Sequence, residues 1–181
     1  MPNYKRLFIP NTYLFLTITT NHRQPILIDN FALLRESFKR AKHTYKFDIY
    51  ASVILPDHMH IILMPENIEE YPKIIFAVKY HFSRNFDGGL GNPPYALSSS
   101  QFKKKEKGVW QRRYYEHTIR DESDLNAHLD YIHYNPVKHG LAQNVKDWEF
   151  SSFDKFVEMG NYDHNWGSAE DIKHIKECEY D

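Results

Sequence analysis

Two apolar segments joined by a single turn constrain the fold of this chain more than any other feature. Residues 47–55 (FDIYASVIL) and 58–64 (HMHIILM) are rich in β-branched and aromatic side chains, and Pro56-Asp57 lies between them. This pattern predicts two strands that form a β-hairpin with a short connection. Any fold of the chain must therefore pair these strands and cover their apolar side chains with other elements.

Further strands and helices flank the hairpin. β-Branched and aromatic residues predict a strand over 12–20 (TYLFLTITT) and another over 110–119 (WQRRYYEHTI). Apolar residues spaced three and four apart predict a helix from Asp29 or Asn30, either of which would cap it, to about Tyr45. The same spacing predicts a second helix from Glu69 to Phe86.

A third predicted helix begins at Asp121, which is expected to cap it together with Asp124. It is expected to end near Tyr134, because the residue before Pro136 is disfavoured in helical conformation. The element order is then strand, helix, strand, strand, helix, strand and an added helix. This order predicts an α+β, ferredoxin-like antiparallel sheet with helices on one face.

Composition and charge exclude several classes of protein. A chain of 181 residues suffices for one compact domain, and the single cysteine, Cys178, excludes an internal disulfide and a cysteine-rich zinc site. No apolar segment approaches the roughly 18 residues of a membrane span, and the N-terminus lacks an export signal, so we expect a cytoplasmic protein without membrane contact. The net charge of −1 offers no overall attraction for a polyanion.

His58 and His60 form a candidate metal-binding pair. They are two residues apart in a predicted strand, so both side chains emerge on one face, within range of a single ion. Because the chain has 11 histidines, this spacing also arises readily by chance. Two structural histidines with ordinary hydrogen bonds are therefore the alternative interpretation.

The third predicted helix carries two sets of side chains at helical spacing. The set expected to be buried is Leu125, Leu129 and Ile132. About a quarter turn away lie His128, Tyr131 and Asn135, the last two of which are one turn apart. The alternative is that the tyrosine is a half-buried interface residue and that the asparagine ends the helix before Pro136.

Taken together, these groups suit phosphodiester chemistry. Tyrosine, with a pKa of about 10, is a poor nucleophile unless a cation polarises the phosphate. The imidazoles of His58 and His60 and the amide oxygen of Asn135 would hold such a cation and leave positions for phosphate and water. The product would be a covalent phosphotyrosine, and the retained bond energy would let the reverse step reseal a strand without ATP.

Three blocks of sequence resemble one protein family. Residues 57–63 (DHMHIIL), 109–120 (VWQRRYYEHTIR) and 130–141 (DYIHYNPVKHGL) are similar, in order and spacing, to the REP-associated tyrosine transposases of the HUH single-strand endonuclease superfamily. The resemblance spans roughly residues 4–157. It implies a transposase-like domain over residues 1–157 with the ferredoxin-like fold, the nucleophile on the added helix, and a tail over 158–181.

The resemblance also implies roles for four residues. His58 and His60 match the family's histidine pair and would be metal ligands, with Asn135 as the third ligand and Tyr131 as the nucleophile. The family implies Mg²⁺ or Mn²⁺ and a 5′-phosphotyrosine intermediate. It also implies hairpin-forming single-stranded DNA, typically a repetitive extragenic palindrome (REP). The tyrosines that compete for the nucleophile's role are Tyr114, Tyr115 and Tyr134.

DNA contact requires local positive charge, which the overall charge conceals. Residues 88–108 are predicted to form a mobile basic loop. Positively charged side chains are concentrated at its end and in the strand that follows: Lys103, Lys104, Lys105, Lys107, Arg112 and Arg113. The resemblance adds Tyr4, Lys5 and Arg6 as residues that read bases near the foot of the hairpin. His117 is either structural or DNA-facing. His128 and His133 are expected at the surface, and assistance with proton transfer is the alternative for each.

Two functional hypotheses follow, and a third is weaker. The first is a metal-dependent single-strand DNA endonuclease and strand transferase, and the second is a catalytically silent protein that binds hairpin nucleic acid. The third is a metallohydrolase that uses His58 and His60 without a covalent step. We favour a monomer over a dimer because the stretch from Asn135 to Gly140 is short.

Overall fold

In the part of the chain that the structure describes, four strands and four helices make up the regular structure, together with three short 3₁₀ turns. The chain is represented by a computed structural model that describes residues 8–87 and 108–167. The strands are β1 (Leu14–Thr19), β2 (Phe47–Ile54), β3 (His58–Pro65) and β4 (Tyr115–Thr118). The helices are α1 (Phe31–Thr44), α2 (Tyr71–Asn85), α3 (Glu122–Lys138) and α4 (Phe153–Glu158).

The strands form one sheet in the order β2-β3-β1-β4, with every neighbouring pair antiparallel. The predicted hairpin is β2 and β3, and β1 inserts between β3 and β4. This is the predicted ferredoxin-like arrangement, so the fold prediction is confirmed. The register sets Thr17 opposite His60 and Thr19 opposite His58, at the centre of the sheet.

The two faces of the sheet are covered by different helices. Alternate residues of β1, such as Leu16 and Ile18, pack with α1 and α2 in one core. Phe15 points to the other face and packs with Leu129 and Ile132 of α3 in a second core. Within the described residues, no helix has the length and apolarity needed to cross a membrane.

The last strand is shorter than predicted. Only Tyr115–Thr118 forms β4, while Trp110 makes an isolated bridge with Thr20. Thr17 pairs with Tyr115, and Thr20 pairs with Trp110. The chain therefore advances five residues, from 110 to 115, along a stretch where β1 advances only three, from 17 to 20. The surplus residues cannot remain in register and leave the ladder.

The predicted helix caps have different outcomes. Asp121 caps α3 as predicted, since its side chain accepts a hydrogen bond of 2.8 Å from the Asp124 N–H. Asn30 occupies the N-cap position of α1 but does not cap it, because its side-chain amide instead donates to the Ile26 carbonyl. The capping prediction for α1 is therefore wrong in mechanism, although the helix begins where predicted.

The predicted end of α3 near Tyr134 is wrong, because the helix continues through Pro136 to Lys138. Proline lacks the N–H that would bond back to the preceding turn, but its fixed φ is compatible with a helix. The next turn keeps its own bonds, since the His139 N–H donates to the Asn135 carbonyl and the Leu141 N–H to the Pro136 carbonyl. Pro136 is buried, so packing supports the continued helix.

The residues after α4 return to cover α3. The hydroxyl of Tyr162 donates a hydrogen bond of 2.7 Å to Asp130 Oδ1, and the Tyr162 ring lies 4.7 Å from that of Trp166. The structure follows the segment predicted as a tail only as far as Gly167. Nearly all of the predicted loop over 88–108 lies outside the described residues.

Candidate active site

The site is built on the central strand β3. His58 and His60 alternate with Met59 and Ile61, which fill the core under α1 and α2, so both imidazoles point to the face that α3 covers. Their ring centroids lie 5.0 Å apart. Both side chains are buried, at 2% and 0% exposure. The prediction that the two histidines share one face is confirmed.

Outer partners hold each imidazole in a defined orientation. The Nδ1 of His58 lies 2.6 Å from Asp57 Oδ1, and the Nδ1 of His60 lies 2.9 Å from Thr17 Oγ1. Because both Nδ1 atoms are occupied, both Nε2 atoms turn inward, where they are buried. Metal-ligating histidines typically have such an arrangement. Burial also lowers the pKa of His58 against the opposing effect of Asp57, which favours the neutral form that binds metals.

Helix α3 brings Tyr131 to this pair. Leu129 and Ile132 pack in the second core and hold this side of the helix against the sheet. Tyr131 lies between them in the sequence and packs in the same core. The Tyr131 ring lies edge-on to the His60 ring, with centroids 5.2 Å apart, and 6.0 Å from Phe15. The side chain is fully buried. The structure thus brings together a phenol and two imidazoles from distant parts of the sequence.

Asn135 lies one helical turn after Tyr131 and is fully buried. Neither its Oδ1 nor its Nδ2 has a hydrogen-bond partner among the described residues. A buried amide without partners costs about 1–3 kcal/mol, so native proteins seldom retain one without a reason. Two imidazole nitrogens and one amide oxygen form a donor set that fits a divalent metal ion.

Two residues of the site escaped the sequence analysis. The Nζ of Lys138 lies 3.4 Å from the Tyr131 hydroxyl oxygen and 4.9 Å from the centre of its ring. The His139 ring lies 5.2 Å from the His58 ring. Both were missed because the helix was expected to end before them, although Lys138 is seven residues after Tyr131, a spacing of two helical turns.

A second histidine group lies on the same face of the sheet. The Nε2 of His117 on β4 lies 2.8 Å from Asp124 Oδ2, and the Nδ1 of His128 lies 3.2 Å from Asp124 Oδ1. Potential ligand atoms of the three residues lie within 4.8 Å of one another. By distance alone, this group is also a candidate for a metal ion.

The hydrogen bonds of the second group favour a structural role. Asp124 Oδ2 already accepts hydrogen bonds from the Arg120 backbone N–H and side-chain Nε, as well as from His117. These bonds outweigh burial and lower the pKa of Asp124 to about 2. The His117 and His128 rings stack at 4.7 Å and 15°, which packs β4 against α3. The group ties β4 to the first turns of α3.

The surface location expected for two histidines is wrong. His128 and His133 are both fully buried. The Nδ1 of His128 lies 2.7 Å from the Asp124 carbonyl, and the Nε2 of His133 lies 3.0 Å from Ser152 Oγ. Burial lowers the pKa of His133 to about 3. The sheet covers His128 through Phe15 and His117, and residues after α3 cover His133, neither of which helical spacing alone reveals.

The competing tyrosines occupy different surroundings. Tyr114 packs against the core under α1 and α2, on the far side of the sheet from Tyr131. Tyr115 lies on β4 and is 43% exposed. Tyr134 is half-buried against the second core. These positions leave Tyr131 as the tyrosine whose ring lies against His60.

The predicted DNA-binding residues are only partly described. Arg112 and Arg113 are exposed in the segment that leaves the ladder before β4. Tyr4, Lys5, Arg6, Lys103, Lys104, Lys105 and Lys107 lie outside the described residues.

Comparison with known proteins agrees with this geometry. The family model described as "Transposase IS200 like" matches residues 9–135, which is more than half of the chain. A protein from Haemophilus influenzae, provisionally named a REP-associated tyrosine transposase, is 40% identical over 175 residues, covering 96% of this chain and 97% of its own length. The REP-associated tyrosine transposase of Escherichia coli K12 is 34% identical, covering 92% and 91%.

A solved structure gives the same result in three dimensions. It is described as a REP-associated tyrosine transposase bound to a REP hairpin, and it matches with a TM-score of 0.75 and 32% identity. The match covers 93% of this chain and 92% of that one. The chain therefore belongs to the IS200-like transposase family and, within it, to the REP-associated tyrosine transposases.

Proposed function

We propose that this chain is a metal-dependent single-strand DNA endonuclease and strand transferase whose nucleophile is Tyr131. The observation that carries the proposal is the position of the Tyr131 ring, 5.2 Å from that of His60, which in turn lies 5.0 Å from that of His58. A structural tyrosine does not require two inward-facing imidazoles and an unpaired amide beside it.

His58, His60 and Asn135 would hold the metal ion. Their two imidazoles and one amide oxygen suit Mn²⁺ better than Mg²⁺, which prefers oxygen ligands alone, although both remain candidates. When bound, the ion would polarise the non-bridging oxygens of a phosphodiester. Asp57 and Thr17 support this role by keeping the two imidazoles in orientation.

The chemistry exchanges one phosphate ester for another. The Tyr131 oxygen attacks the phosphorus and loses its proton, while the bond from phosphorus to the 3′-oxygen breaks and that oxygen gains a proton. The products are a 5′-phosphotyrosine and a free 3′-hydroxyl. Because an ester bond is retained, attack by a 3′-hydroxyl reverses the step and reseals a strand without ATP.

Hairpin DNA is the proposed substrate. The solved structure of a REP-associated tyrosine transposase bound to a REP hairpin supports this choice, because its match extends over 93% of the present chain. Arg112 and Arg113 are exposed, and we propose that they contact phosphates. We retain the N-terminal group Tyr4, Lys5 and Arg6 and the loop lysines Lys103, Lys104 and Lys105 as further proposed contacts.

The site also supports a monomeric enzyme. Tyr131 and His60 belong to the same chain and lie in ring contact, so a second subunit is not needed to complete the constellation. Sedimentation of the protein with and without hairpin DNA would test this expectation directly.

Adduct formation tests the proposed function. With labelled hairpin DNA and Mn²⁺, the wild-type protein is expected to form a covalent complex that survives denaturation, and Tyr131→Phe is expected to form none. Tyr115→Phe is the matched control, because it removes an exposed hydroxyl from the same face of the sheet and should preserve the adduct. An adduct that persists in Tyr131→Phe would remove Tyr131 from the mechanism. Tight binding without cleavage under any divalent ion would instead indicate a silent hairpin-binding protein.

A further inference from the structure

We propose that Lys138 is a second catalytic residue, whose ammonium group donates a hydrogen bond to the Tyr131 oxygen as that oxygen attacks and leaves phosphorus. The inference rests on the proposed function, since it takes Tyr131 as the nucleophile. It adds a chemical group that the sequence motifs did not identify.

The contact geometry carries the inference. The Lys138 Nζ lies 3.4 Å from the Tyr131 hydroxyl oxygen, within reach of an N–H to oxygen hydrogen bond, and 4.9 Å from the ring centre. Tyr131 is fully buried, whereas Lys138 is an exposed residue. The lysine therefore brings a positive charge from the surface to a hydroxyl in a site with little water, where charge interactions are stronger than in bulk solvent.

The continuation of α3 through Pro136 creates this contact. Residues seven apart lie on the same side of a helix after two turns, so Lys138 lies above Tyr131 only if the helix continues past the proline. The His139 N–H bond to the Asn135 carbonyl closes that last turn. A helix that ended at Tyr134 would retain the nucleophile but lose the lysine.

The chemistry gives the lysine a role in both directions of the reaction. In cleavage, the phenol loses its proton as the oxygen–phosphorus bond forms, and a cation beside the oxygen stabilises the negative charge that develops there. In rejoining, a 3′-hydroxyl attacks the phosphotyrosine, and the electron pair of the breaking bond returns to the Tyr131 oxygen. Lys138 stabilises that leaving group until it regains a proton. Hydrogen-bond donors that are held in place in this way stabilise the negative charge that develops on an oxygen in the transition state.

Kinetics of three variants test the inference. Lys138→Met is expected to slow formation of the covalent adduct about ten- to a hundredfold, the usual range for a hydrogen bond to a charged group. Lys138→Arg keeps the charge and should remain within about fivefold of wild type. The matched control is Lys155→Met, which removes a lysine that lies 3.4 Å from the Tyr50 carbonyl and over the Phe156 ring, and it should leave the rate unchanged.

A fluorine label separates catalysis from structural support. With 3-fluorotyrosine at position 131, the fluorine signal reports ionisation of that phenol alone among the 13 tyrosines. Lys138→Met is expected to move the titration of this signal to higher pH, and Lys155→Met is expected not to move it. Hairpin affinity, measured by fluorescence anisotropy, should be the same in all variants, so the loss appears in the chemical step.

Three results would overturn the inference. The first is an unchanged adduct rate in Lys138→Met while Tyr131→Phe abolishes the adduct, which leaves the proposed function standing. The second is an unchanged fluorine titration combined with weaker hairpin binding, which would make Lys138 a phosphate-binding residue. The third is an adduct that survives Tyr131→Phe, which removes the proposed function and the inference together.

Discussion

Two histidine groups lie on the same face of the sheet, and their polar atoms are used in opposite ways. In the first group, His58 and His60 bond outward to Asp57 and Thr17, and the buried amide of Asn135 nearby has no partner among the described residues. In the second group, both histidines bond inward to one residue, His117 to the carboxylate of Asp124 and His128 to its backbone carbonyl.

The difference shows that a cluster of ligand-type residues is not by itself a metal site. The second group satisfies the distance requirement for three ligands, yet Asp124 already accepts bonds from His117 and Arg120. In the first group, the buried amide of Asn135 has no partner among the described residues. A buried amide without partners indicates room for a ligand, whereas a carboxylate that already accepts several hydrogen bonds indicates a structural connection.

The largest expected effect separates the two groups by activity. His60→Ala should lower the cleavage rate at least about a hundredfold, because a missing ligand weakens the positioning and polarisation of the phosphate. His117→Ala, which removes an imidazole of the second group, should stay within about threefold of wild type. The measurement is single-turnover cleavage of a labelled hairpin at saturating Mn²⁺, and equal losses in the two variants would break the comparison.

The next effect separates the groups by stability. Asp124→Leu should lower the free energy of unfolding by about 3 kcal/mol, because it leaves several donors without their acceptor. Asn135→Leu should be nearly neutral or stabilising without metal, because it replaces an unpaired buried amide with an apolar side chain of similar size. Urea denaturation in EDTA measures both, and a larger loss in Asn135→Leu would contradict our account of the first group.

A smaller effect concerns the pH dependence of the free energy of unfolding. Buried His133 and Asp124 of the second group should lower it over different pH ranges. Burial lowers the pKa of His133 from 6.5 to about 3, so the unfolded chain takes up a proton there that the folded chain does not. Stability should therefore fall as the pH drops below about 6.5, by about 1–2 kcal/mol by pH 5. Asp124, with a pKa lowered to about 2, contributes a loss only below about pH 4.

His133→Phe tests this assignment while preserving an aromatic side chain. The variant should reduce the slope of the stability curve between pH 6.5 and 5, where burial of His58 and His128 also contributes, and leave the loss below pH 4 in place. A curve with the wild-type slope in the upper range would show that another group is responsible.

Local patterns in the sequence predicted the parts of the fold that depend on alternation. The alternation of His58 and His60 with apolar Met59 and Ile61 predicted the face on which both imidazoles emerge, and the turn at Pro56-Asp57 predicted the hairpin. The helical stripe of Leu129 and Ile132 predicted how α3 packs. Each of these follows from side-chain direction within a single element.

The errors arose where distant residues decide the structure. The burial of His133 depends on Phe153, Phe156 and Tyr162, which follow α3 and cover its outer side. The continuation of α3 through Pro136 depends on packing that overrides the local preference of the residue before proline. The meeting of His117 with Asp124 depends on the register of β4 beside β1, which two surplus residues made difficult to predict.

The most direct test of the central claim is an anomalous difference map from crystals soaked in Mn²⁺. Our account predicts one peak bounded by His58, His60 and Asn135, on the side of the site that Tyr131 faces, and no peak among His117, Asp124 and His128. A peak at the second group with none at the first would contradict it.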